Sequence, residues 1–190
     1  MRLAGTYRDV LLASVVASAV ALAGVSHVSA AGTGALPPRS TCRGQSNLAA
    51  PVAVQLRATR CLINWTRRHA GLAPVARNDE LDRSAAMRAR DIKRCRDFSH
   101  TPCGQPFITV FTAVHYFTGT AAVGENLAWG QGRLGTPRAA MANWLASPPH
   151  REILFTAKWR DLGVGRVRGT LFGRPNVTVW VAQFGRRSLP

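Results

Sequence analysis

The chain has 190 residues, 46% of them hydrophobic and 18% charged, which suits one packed domain and excludes disorder throughout. Its 25 Lys and Arg against nine Asp and Glu give a formal net charge of +16. That balance favours salt-dependent contact with anionic polymers, whether wall phosphate polymers, acidic lipid headgroups or nucleic acid, and composition does not choose among them.

Residues 1–30 read as a secretory signal peptide: Arg2 and Arg8 precede an apolar run over 10–25, and Val28-Ser29-Ala30 supplies small residues at the cleavage site. Ser14, Ser18 and Gly24 interrupt the run and it is short for a spanning helix, so cleavage is expected, and with it a secreted, extracellular product. Residues 31–50, rich in Gly, Pro, Ser and Ala, read as a linker, and the domain is expected over 51–187. Four cysteines in an exported chain favour two disulfides, for which three connectivities exist. Locality favours Cys42–Cys61 and Cys95–Cys103, the second closing a short loop that contains His100.

Over 52–69 the apolar positions Val54, Ala58, Cys61, Leu62 and Trp65 recur at helical spacing. A second helix starts at Asn78 or Asp79, with acids in its first turn, Lys93, Arg94 and Arg96 in its last, and the stripe Leu81, Ala85, Ala89, Ile92 and Cys95. It should stop near Asp97 and deliver Phe98-Ser99-His100 as an exit loop. Residues 103–117 fit a short helix better than a strand, although their Thr and aromatic content allows either. Thr136-Pro137 reads as N-cap and first residue of a helix lined by Ala140, Met141, Trp144 and Leu145 and ended by Ser147-Pro148-Pro149. Residues 162–167 and 177–184 are strand-like and, joined through 173–176, form an antiparallel hairpin whose second strand, apolar on both faces, lies centrally under helices on both sides.

The chemistry concentrates around Val123-Gly124-Glu125-Asn126-Leu127-Ala128-Trp129-Gly130, where a carboxylate and an amide interrupt an apolar run. A buried carboxylate requires a partner. His100 and His150 are the expected ones, converging with Glu125 on one cleft, while Glu125 locks and Asn126 braces what reads as a loop. His69 and His115 read as surface or otherwise satisfied histidines, and Trp129, Trp144 and Trp180 as core.

These segments resemble, in order and spacing, the CAP superfamily (cysteine-rich secretory proteins, antigen five and pathogenesis-related proteins) in its bacterial SCP-like branch. The matching motifs are Phe98-Ser99-His100-Thr101, Gly124-Glu125-Asn126-Leu127-Ala128-Trp129, residues 144–154 from Trp144 through Ser147 and His150 to Leu154, and Leu162-Gly163-Val164-Gly165. The resemblance implies an α+β fold, an α-β-α sandwich with an antiparallel sheet between helices, and a surface cleft lined by His and Glu. His100 matches the first His and Glu125 the first Glu. Ser147 stands where many members carry a second Glu, His150 is the candidate second His, and Glu152 is a neighbouring carboxylate.

The function expected is that of a binding module for a small apolar or cell-wall ligand, monomeric, without sequence-specific nucleic-acid recognition and without a required cofactor. The alternative is a metal-dependent hydrolase with Glu125 as general base and a divalent metal such as zinc on His100 and His150.

Overall fold

The computed structural model describes residues 35–117 and 120–187. The segment read as a signal peptide lies outside them. Five helices, α1 (Val52–His69), α2 (Asp79–Cys95), α3 (Thr109–Ala113), α4 (Pro137–Ala146) and α5 (Pro148–Phe155), pack around four strands, β1 (Ala76–Arg77), β2 (Ala121–Gln131), β3 (Asp161–Leu171) and β4 (Arg174–Arg187). The sheet order is β1-β3-β4-β2. The long strands are antiparallel as expected; the difference is the two-residue β1, which pairs parallel with β3 and makes the sheet mixed.

Strand alternation builds two cores. Leu127, Val179 and Val181 face α2 with Ala85, Ala89 and Ile92, whereas Ala128, Trp180, Ala182 and Phe184 face α1, α4 and α5. Gly163 and Gly165 bring α2 onto the sheet: a Cβ at either would stand 2.1 and 2.3 Å from the backbone carbons of Leu81 and Ala85. The glycine-valine-glycine run is thus a contact strip for the alanine face of α2. Asn78 caps that helix, its side chain accepting from the Leu81 amide at 2.9 Å. Trp144 and Trp180 are fully buried and donate their indole N–H groups to the carbonyls of Leu127 and Gly135.

Several expectations need correction. The buried face of α1 is rotated toward Thr59, Ile63 and Thr66, leaving Val54, Cys61 and Trp65 half-buried. The threonine hydroxyls bond carbonyls one turn back, at 3.0 and 2.9 Å, so both can be buried. Cys95 is exposed at the end of α2 rather than on its stripe. From Leu36 onward the segment read as linker is packed: Cys42 and Gln45 are buried, and Arg138 donates 2.7 Å bonds to the carbonyl of Pro37 and the side chain of Gln45. Its composition concealed this because the fastening comes from a disulfide, Arg138 and the side-chain amides of Gln45 and Gln55 rather than from an apolar pattern. Pro175 and Asn176 belong to β4, and the hairpin turns in only two residues. Ser147-Pro148-Pro149 both ends α4 and starts α5, with prolines in the first turn where no amide is missed. Residues 109–113 are helical.

Candidate functional site

Glu125 lies on a strand rather than in a loop. On the edge strand β2 its side chain points toward α2 and is 0% exposed. Its Oε2 accepts from Gln183 at 2.7 Å and from Arg88 Nε at 3.2 Å, and its Oε1 accepts from His100 Nδ1 at 2.8 Å. A carboxylate only accepts, so His100 carries its proton on Nδ1 and, when neutral, leaves Nε2 unprotonated. Arg88, equally buried, also donates to the Phe107 carbonyl and stacks over the Phe107 ring.

Sequence reasoning missed Arg88 and Gln183. The signal for Arg88 was available: it is three residues after Ala85 and four before Ile92, a cation on the buried stripe of α2. Gln183 sits directly opposite Glu125 in the ladder.

His100 is carried by the turn that leaves α2. Arg96 adopts a left-handed conformation (φ 54°) that ends the helix, and the Cys95–Cys103 disulfide closes the loop. Within it Ser99 donates to Asp97 at 2.9 Å and accepts the Thr101 amide at 3.1 Å. Ser99 is therefore a turn-forming hydroxyl, engaged by Asp97 and by the Thr101 amide. The His100 side chain is 51% exposed, its ring edge-on to Phe107. The second disulfide, Cys42–Cys61, ties the start of the domain to α1.

The opposite face of β2 carries Asn126. Its Nδ2 donates to the His150 carbonyl at 3.0 Å, while its buried Oδ1 has no partner among the described residues. His150 occupies the first turn of α5, and its Nδ1 is also buried without a partner among them. Burial holds the His150 imidazole below its ordinary pKa, and the nearby charge of His100 adds to the effect. The two histidines thus lie on opposite faces of β2, His100 beside Glu125 and His150 beside Asn126. Ser147 contributes backbone only, its carbonyl accepting the Arg151 amide and its hydroxyl capping nothing. Glu152 is exposed, and its carboxylate makes no hydrogen bond or ion pair among the described residues. His69 stacks on Trp65 and His115 is exposed.

For a metal, the donor set fits only in part. Both Glu125 oxygens are engaged, and among the described residues no three His, Cys, Asp or Glu side chains gather as ligands. What the geometry does supply is Glu125 behind His100 as an orienting carboxylate. A His-His-Glu ligand set is not formed. Space for larger molecules lies elsewhere: cavities of about 730 and 690 Å³ run along α1, lined by residues such as Arg43, Val54 and Arg57 in one and Leu56, Arg60 and Arg83 in the other.

Comparison with known proteins agrees with this architecture. A family model described as the cysteine-rich secretory protein family, CAP, matches residues 61–184. The uncharacterised protein YkwD of Bacillus subtilis (strain 168) is 30% identical over 126 residues, covering 65% of this chain and 44% of that relative. Among solved structures, an outer surface protein from Borrelia burgdorferi superposes with a TM-score of 0.61 at 21% identity, over 73% of this chain and 97% of its own. An extracellular SCP-domain protein from Bacillus anthracis str. Ames gives a TM-score of 0.57 at 21% identity, over 73% of this chain and 44% of its own.

Proposed function

The chain belongs to the CAP family of cysteine-rich secretory proteins, and on that footing we propose that it is an exported binding module whose recognition group is the His100 imidazole, presented at the edge of β2 to a ligand of the cell envelope. The observation that carries this reading is the complete use of Glu125: three donors surround its buried carboxylate, and one of them is the imidazole it orients. A half-exposed ring held through Nδ1, with Nε2 making no hydrogen bond among the described residues, suits a donor or cation on a wall fragment, or a divalent metal shared with His150. The same geometry disfavours hydrolysis with Glu125 as general base, since neither oxygen is open to an attacking water. Export is supported by two disulfides and by likeness to proteins described as extracellular or outer-surface.

The test is calorimetric titration of the protein from residue 31 onward with zinc and, separately, with soluble muropeptides, beside His100→Ala. Saturable binding of either probe that disappears in the variant is the expected result. Turnover of peptide or ester substrates that vanishes in Glu125→Gln, at unchanged folding, would replace the binding reading with the hydrolytic one.

A further inference from the structure

The β3–β4 hairpin reverses through Phe172 and Gly173, with Leu171 paired to Arg174. Both turn residues have positive φ, 52° and 70°, the mirror-image turn that Asn-Gly or Gly-Gly enters without strain. Phe is unsuited to that position on two counts. A bulky side chain disfavours left-handed backbone, and the residue remains 42% exposed. Its edge contact with Trp129, centroids 5.8 Å apart, accounts only for the covered part.

A second apolar side chain stands at the same end of the sheet. Leu134 is 68% exposed on the turn Gly132–Gly135 that follows β2. Gln131, the last residue of β2, pairs with Val177 and donates to the Pro175 carbonyl at 2.9 Å, tying this turn to the hairpin end. Around the two apolar groups are the exposed Arg133, Arg168 and Arg174, and the segments 129–136 and 166–178 contain no Asp or Glu.

We infer that this end of the molecule docks on an anionic bilayer surface, with Phe172 and Leu134 entering the headgroup region and Arg133, Arg168 and Arg174 meeting lipid phosphates. Apolar tips flanked by cations gain from both burial and surface potential. A soluble anionic polymer would engage the arginines and leave Phe172 and Leu134 without a role, which is why a bilayer is the better match. From Glu125 to Gln131 the strand advances six residues, about 20 Å, so docking leaves the His100 edge separate.

The test is flotation of the protein from residue 31 onward, which carries every described element and lacks the apolar leader, with vesicles of phosphatidylcholine alone and of equal parts phosphatidylcholine and phosphatidylglycerol. Flotation with the mixed vesicles only is expected, weakening as salt rises. Phe172→Asn and Leu134→Ser should each reduce it, and together by roughly tenfold or more. Asn suits the turn, so circular dichroism of Phe172→Asn should show an intact fold. His100→Ala should float as the parent does, whether or not the envelope-ligand reading holds. Absence of flotation, flotation unchanged in the double variant, or its loss in His100→Ala would each overturn the assignment.

Discussion

Glu125 and Asn126 are consecutive on β2, face opposite sides of the sheet and are provided for very differently. Glu125 has three donors on its two oxygens. Asn126 donates once to the His150 carbonyl, and both its Oδ1 and the His150 Nδ1 are buried without a partner among the described residues. On the first side the carboxylate itself is fully engaged, although Arg88 Nη1 and Gln183 Oε1 behind it are buried without a partner among the described residues. On the second, it is the facing groups themselves, the Asn126 carboxamide oxygen and the His150 ring nitrogen, that lack partners among the described residues, and buried polar atoms of that kind are ordinarily satisfied by water or ligand.

The largest break in this contrast comes from Arg88→Met, which leaves a buried carboxylate without its cation. A loss of about 3–5 kcal/mol is expected by chemical denaturation, while the double variant Arg88→Met with Glu125→Leu should recover much of it. A cost under about 1 kcal/mol for the single change would mean that the pair is not desolvated as described. Next in size, Cys95→Ser should cost about 2–3 kcal/mol and raise hydrogen exchange at residues 97–101 while the β3–β4 hairpin keeps its protection. Equal loosening of both regions would show that the disulfide does not hold the His100 loop in particular.

On the other face, Asn126→Leu removes one hydrogen bond and an already unpartnered oxygen, so about 0.5–1.5 kcal/mol is expected. A much larger loss would reveal that Oδ1 has a partner in solution. The smallest effect concerns pH. Because the folded protein holds His150 below its ordinary pKa, protonation is disfavoured in the native state. The stability due to neutral His150 is present above about pH 6.5, the unfolded value, and is lost as pH falls toward the folded one. His150→Gln should flatten that part of the curve of thermal midpoint against pH, and an unchanged curve would place the titration elsewhere.

Much of the fold was legible because the residues left little choice. The alanine stripe of α2 and the two-glycine strip of β3 are complementary, and the apolar run of β4 required cover on both faces. Both disulfides followed from locality. The Glu125 segment was harder, since its glycines and polar pair suggested a loop, whereas the ladder to β4 makes it a strand. The buried threonines of α1 were missed because their hydroxyls are satisfied within the helix, and the packed segment before α1 because Arg138, far along the chain, holds it in place. At the site, a buried Glu in a basic chain demanded a partner, and His100 was one. Arg88 was overlooked because arginine is common in this sequence, although its place on an apolar stripe set it apart. The placement of His150 beside Asn126 depends on α5, which the two prolines concealed.

Whether Glu125 fixes the His100 ring is tested most directly by the long-range proton–nitrogen NMR spectrum of that imidazole, at a pH where the ring is neutral, in the parent and in Glu125→Gln. A single tautomer is expected in the parent, with the proton on Nδ1 and Nε2 bare, and loss of that fixed state in the variant. A proton on Nε2, or averaging between tautomers in the parent, would contradict the claim that Glu125 orients His100 for presentation.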